Sequence, residues 1–273
     1  MKPAFNITPT STGNIPIHLL IEAGSYGMHL MWFTKEAFSV MGLAVYNFTG
    51  NDTENDIKEI LGLHEGFFKT LSSVTACYDF KESLLVPAKY NLADGYKEAL
   101  ALVYGENDDC YFNSDLITSA EIYNHYRIPA AIESVFSKRF PAAAMFHSSS
   151  LQVEELNKEN ELFYCIFFHN ILKIILFKGG KLQVVKQYSY VAPEDVTYYL
   201  INVCEQHSLQ PAEVRLRLSG MIDEESRLYN ELYKYFLHLG FEKPADGIST
   251  PVELKEFPPH FFSHLTALAS CVS

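Results

Sequence analysis

Residues 161–239 read ELFYCIFFHNILKIILFKGGKLQVVKQYSYVAPEDVTYYLINVCEQHSLQPAEVRLRLSGMIDEESRLYNELYKYFLHL. Residues 161–170, 171–178 and 182–191 are apolar runs rich in aromatic and β-branched side chains, and His169-Asn170 and Gly179-Gly180 break them. That predicts three strands joined by tight turns. Pro193 then opens a stretch to Ser208 in which Val196, Tyr199, Leu200, Val203 and His207 share one face of a 3.6-residue period. A proline in the first turn is suited to a helix start. Across residues 214–219, Val214, Leu216 and Leu218 point one way and Arg215, Arg217 and Ser219 the other, as in a strand. Residues 224–239 carry Leu228, Leu232, Tyr235, Phe236 and Leu239 at helical spacing. A meander of three strands, a helical crossover, a new strand and a second helix make a mixed α/β unit.

Upstream the same order occurs. Residues 17–22, 28–34 and 38–48 form a meander, residues 52–71 form an amphipathic helix behind an acidic cap, and residues 73–80 form a strand. Gly24 and His169, Lys35 and Gly179, and Ala76 and Leu216 match in register at offsets of 145, 144 and 140 residues, a repeat of pattern rather than of letters. The expected layout is a lead-in over 1–14 with a short edge strand at 4–7, a first half over 15–150, a second half over 151–243, and a loop with a closing helix over 244–273. That helix is expected to pack back on the first half. The first half carries an insertion near 82–128, in which 82–86 is expected to fold back on 73–80 as a hairpin. Within it 92–104 reads as a helix, 105–109 as a turn and 122–128 as a strand. Pro129 then opens a helix to Phe140, which Pro141 stops, ahead of a short strand over 142–146 and a connector helix over 151–157.

The 273 residues are 48% hydrophobic, enough for a sizeable core, and carry a net charge of −12. Acids exceed bases in both parts of the chain, by 17 to 10 before residue 151 and by 16 to 11 after it. A spread acidic excess argues against nucleic acid as a partner, because phosphate backbones are bound by lysine and arginine. The five cysteines form no C-x-x-C pair and read as free thiols of a reducing compartment, without zinc-like spacing. The start lacks a signal-peptide pattern and no run is long enough to span a bilayer, so a cytoplasmic location without membrane insertion is expected. The sequons at Asn6, Asn47 and Asn51 are then chance matches.

The order of elements, the repeat and the closing helix resemble the actin-like ATPase superfamily, in which two ribonuclease H-like halves enclose a nucleotide. More closely, the chain resembles a bacterial family of unknown function with this fold, related in shape to actin-like components of pilus and secretion machines. In that superfamily the first hairpin carries an Asp-x-Gly-Ser/Thr turn: a carboxylate for hydrated magnesium, a glycine for close approach of phosphate, and a hydroxyl donor. The matching turn is Glu22-Ala23-Gly24-Ser25-Tyr26-Gly27, with glutamate for aspartate. As a plain hairpin, the same turn has Gly24 and Gly27 supplying positive φ. The second hairpin, Phe168-His169-Asn170-Ile171, has neither aspartate nor glycine, and Asn170 suits a left-handed turn position. The adenosine turn keeps one glycine, in Leu218-Ser219-Gly220-Met221.

Three readings follow, one of them a small-molecule sensor or kinase-like enzyme using the cleft between the halves, for which the sequence names no substrate. The resemblance with degenerate phosphate motifs implies a catalytically silent interaction or assembly module, with a protein partner or self-association and no cofactor. The alternative is ATP with magnesium between the halves, Glu22 holding the metal and Gly24, Ser25, Gly27, Ser219 and Gly220 surrounding the nucleotide. Arg215 and Arg217 read as solvated or paired with acids, and the Gly179-Gly180 pair as a hairpin rather than an anion site. No catalytic triad elbow, P-loop or H-E-x-x-H motif occurs.

Overall fold

The computed structural model describes residues 2–9, 15–48, 50, 52–91, 95–244 and 247–273. Parts of the expected lead-in, the asparagine before the first helix and the start of the 92–104 helix lie outside the described residues. The chain divides into two compact units. Unit 1 is Met1–Glu154, Gly247–Pro251 and Leu268–Ser273; unit 2 is Glu155–Asp246 and Val252–Ala267.

In unit 1, β1 (Phe5–Ile7), β2 (Ile17–Gly24), β3 (Gly27–Thr34), β4 (Ser39–Asn47), β5 (Leu71–Asp79) and, later in the chain, a strand over Ala144–His147 form a six-stranded sheet. The expected edge strand is β1, antiparallel to β4. β3 is buried along its whole length and β2 along most of it, because both faces of the sheet are covered; this is why they read as continuous apolar runs. Helix α1 (Thr53–Leu63) starts where Asp52 accepts the Asn55 N–H at 3.0 Å. It is shorter than the expected 52–71. A 3-10 turn over Glu65–Phe68 follows the glycine-containing end, and Leu71 already pairs with Ile17 in the parallel β2–β5 ladder.

The insertion is a small sheet of its own. β6 (Ser83–Pro87) pairs with β8 (Ile122–Pro129), not with β5, and β7 (Cys110–Ile117) flanks β8 on the other side. The expected hairpin of 82–86 on 73–80 is therefore corrected: the edge of β5 is taken by β9 (Ala144–His147) in parallel. Helix α2 (Tyr96–Tyr104) precedes β7, and α3 (Ala130–Arg139) follows β8 with Pro129 as its cap rather than its first residue. Helix α4 (Ser148–Leu156) follows β9 directly.

In unit 2, β10 (Leu162–Phe167), β11 (Ile171–Lys178) and β12 (Lys181–Ser189) form the meander. Helix α5 (Pro193–Gln206) leads to β13 (Arg215–Gly220), parallel to β10. The last expected helix is half as long. Helix α6 (Arg227–Tyr233) ends early, and β14 (His238–Phe241) pairs in parallel with β13. Backbone groups along the open edge of β13 need partners, and residues 238–241 supply them. The closing helix is α7 (Ser263–Cys271).

The sheets run β4-β3-β2-β5-β9 and β12-β11-β10-β13-β14, one strand order used twice, with β1 added to the first. Each unit has its own apolar cluster: α1 and α3 pack on the first sheet through Ile57, Ile60, Ile132 and Phe136, and α5 and α6 on the second through Val196, Leu200, Val203 and Leu232. These are two ribonuclease H-like halves of the actin-like fold class.

Candidate functional site

The β2–β3 hairpin holds four of the six sequence candidates. Glu22 and His29 face each other across the antiparallel pair, and His29 Nδ1 donates to Glu22 Oε2 at 3.0 Å, both side chains buried. Gly24 pairs with Asp79 at the end of β5. Tyr26 turns inward from the hairpin and donates its hydroxyl to Asp79 Oδ2 at 2.9 Å. Burial, with the charges of Asp79 and Glu22 beside it, pushes the Tyr26 phenol well above its ordinary value, so it stays a neutral donor. Ser25 sits exposed at the tip.

The two glycines are needed for space, not for handedness. Neither Gly24 nor Gly27 has positive φ, which corrects the plain-hairpin expectation. A Cβ on Gly24 would lie 2.6 Å from the Tyr26 ring and 2.8 Å from Asp79 O, and one on Gly27 would lie 2.1 Å from Tyr46 O. The room that Gly24 leaves is thus taken by the chain's own tyrosine.

The other two candidates end β13. Ser219 is fully buried, with Oγ 2.7 Å from Ser263 Oγ and donating to His260 O at 3.1 Å. Gly220 has a φ of 83°, and a Cβ there would lie 2.1 Å from Phe167 O. His260 in turn donates from Nε2 to Ile222 O at 2.6 Å and stacks on Phe241 at 3.9 Å. The 3-10 turn at Pro259–Phe261 and the start of α7 therefore supply the polar partners of this strand end.

The second hairpin closes through Phe168 N–H to Ile171 O at 2.9 Å, with His169 and Asn170 exposed and Asn170 not left-handed. Gly179 and Gly180 are both left-handed, at φ of 59° and 67°, as a tight β11–β12 hairpin requires. Arg217 pairs with Glu159 at 3.0 Å and Glu242 at 3.4 Å, and Arg215 is exposed, as expected of both. All five cysteines are free; burial pushes Cys77 and Cys165 well up and Cys204 to about 11, so these thiols are inert.

Sequence reasoning missed Tyr26, His29, Asp79, His260 and Ser263. The signal for His29 and Asp79 was their polar character inside apolar strands, where an ionisable group needs a partner. Lys173, fully buried on β11, stands at the register position that His29 holds on β3. Magnesium-nucleotide needs a carboxylate and free approach to the glycine turn; Glu22 and Asp79 supply carboxylates, but the ring of Tyr26 fills the turn.

Among the described residues, no helix is long and apolar enough to cross a membrane. No curated protein matches the sequence. Of solved structures, a protein of Bacteroides thetaiotaomicron with an actin-like ATPase fold and unknown function superimposes with a TM-score of 0.76 at 15% identity, over 93% of this chain and 95% of that one. A chain of the PilM–PilN type IV pilus biogenesis complex gives 0.64 at 12% identity, over 94% and 98%. Both likenesses carry the fold. Residues 11–239 match the family described as "Protein of unknown function (DUF3822)", and the chain belongs to that family.

Proposed function

We propose that this chain is a non-catalytic protein of the actin-like fold that works in the cytoplasm as an interaction or assembly module. The observation that carries the reading is Tyr26: its ring occupies the space at Gly24 and its hydroxyl holds Asp79, so the hairpin is completed by its own side chains. The Ser219–Gly220 end of β13 is likewise completed by His260 and Ser263. An assembly role is supported by the likeness in shape to a chain of a pilus biogenesis complex.

The test is thermal unfolding with magnesium and ATP. No rise in midpoint is expected at millimolar nucleotide. A ligand at 100 times its dissociation constant adds about 2.7 kcal/mol, so a shift of that size overturns the reading. The buried carboxylates Glu22 and Asp79 favour a second reading, ATP with magnesium held by Glu22 and flanked by Gly24, Ser25, Gly27, Ser219 and Gly220. Under that reading Glu22→Ala abolishes any magnesium-dependent shift.

A further inference from the structure

Two sheet edges in unit 1 border one groove of ≈ 390 Å³, with β7 on one side and β9 and the first turns of α4 on the other. Its walls are fixed by Asp115. That carboxylate accepts the His147 N–H at 2.7 Å, the Ser150 hydroxyl at 2.7 Å and the Tyr126 hydroxyl at 3.2 Å, so it ties the insertion sheet to β9 and α4.

The backbone along the groove follows from the ladders. Ala130 N–H donates to Asp109 O at 3.2 Å, which makes Asp109 and Ala130 a hydrogen-bonded pair and, by alternation, Asn113–Tyr126 and Asp115–Asn124 as well. Ser114 and Leu116 then turn their N–H and C=O away from β8. The Ser114 N–H is covered by Asn113 Oδ1 at 2.8 Å, which leaves the Ser114 carbonyl and both groups of Leu116 as a pairing edge. On β9, the His147 N–H points to Asp115, so Met145, two residues earlier, turns its backbone to the same side.

The side chains add chemistry. Leu116, Met145, Phe146 and Leu151 are the apolar lining; Asp115 and Glu154 are the only ionisable lining residues, both acidic. Glu154 is exposed at the mouth and accepts one backbone donor, Ser119 N–H, at 3.2 and 3.3 Å. A second groove, of ≈ 440 Å³ between α1 and α3, offers neither feature. Four of its lining charges already pair with one another, Glu54 with Lys58 and Glu65 with Arg139, and helical backbone has no pairing edge.

We propose that the β7–β9 groove docks an extended segment of a partner protein in which basic and apolar side chains alternate. Pairing with the Leu116 edge supplies affinity, alternate apolar side chains enter between Leu116 and Leu151, and a basic side chain meets Glu154. This rests on the interaction-module reading and names its surface and the chemistry of its partner.

The probe is a fluorescein-labelled octapeptide alternating lysine and valine, with glutamate–valine and block-ordered lysine/valine peptides as controls, read by anisotropy on the full chain. The alternating basic peptide is expected to bind best, and Glu154→Lys to weaken it by roughly fivefold or more. Glu253→Lys, an equal charge change at an exposed site in unit 2, is expected to leave it within about twofold. Leu116→Pro, which removes a donor turned away from the ladder, is expected to weaken binding with the thermal midpoint kept. Equal losses from Glu154→Lys and Glu253→Lys, or equal binding of the block-ordered peptide, overturn the proposal as attraction to net charge alone. Either result leaves the interaction-module reading standing, because that reading fails only on nucleotide stabilisation.

Discussion

Gly220 and Gly179 both hold positive φ, at 83° and 59°, yet their surroundings differ. Nothing lies within 4 Å of where a Gly179 Cβ would stand, so Gly179→Ala meets only the left-handed penalty of about 1 kcal/mol. At Gly220 a Cβ would sit 2.1 Å from the Phe167 carbonyl oxygen, which also accepts the Met221 N–H at 2.7 Å. That oxygen cannot retreat without breaking the β10–β13 junction. Gly220→Ala is therefore expected to cost roughly 3 kcal/mol or more, by denaturant unfolding of the two variants side by side. Equal losses would mean that handedness, not space, fixes Gly220. The sequence singles out Gly220 only for nucleotide contact; its left-handed backbone is a finding of the structure, and its contact with Phe167 was not legible because a parallel register joins residues 53 apart that no local pattern relates.

Within the insertion, one buried side chain joins three segments of the chain. Arg127, on β8, is only 3% exposed and pairs with Glu82, while its guanidinium donates to Gly105 O at 2.8 Å and Tyr104 O at 3.4 Å. It thus ties β6 and the C-terminal end of α2 to β8, and cations suit a helix C-terminus. Arg127→Met keeps the volume but leaves a carboxylate and two carbonyls without their partner. A loss of about 3 kcal/mol is expected, read as faster hydrogen exchange of the α2 amides than of the β2–β3 amides. Uniform acceleration across both would show that Arg127 supports the fold as a whole. This sheet was the least legible part of the chain. β7 carries Asn113, Ser114 and Asp115 in succession, so it lacks strand-like alternation, and 82–86 is apolar enough to suit either β5 or β8. In unit 2, residues 224–239 keep helical spacing past the true end of α6, because Phe236 is buried in the turn before β14 and Leu239 is half-buried on the sheet, two causes that mimic one period.

At the scale of the whole molecule the repeated strand order was legible, since meander, crossover and strand each leave a period in the sequence, and so was the acidic surface. The two act together on acidification. The net charge of −12 falls to zero near pH 5.3, where repulsion between copies is lost. Over the same range His64, His125 and His260 take protons at a disadvantage, since burial lowers the pKa of each from 6.5 in the fold. The unfolded chain therefore binds protons first: the stability from these neutral imidazoles is full above 6.5 and is lost as the pH falls below it and through the lower folded values. His64 is the clearest case, held by Tyr46 OH at 2.8 Å and against Trp32 at 5.2 Å. Light scattering is expected to rise toward pH 5.3 and the thermal midpoint to fall between about pH 7 and 5.5. His64→Gln separates the two causes. It should flatten the fall of the midpoint, because glutamine retains a donor and acceptor for Tyr46 without titrating, while leaving maximal scattering near pH 5.3. A midpoint that stays level with pH in the unmodified chain would show that the buried imidazoles carry no proton linkage, and that acid acts on this protein only through the charge of its surface.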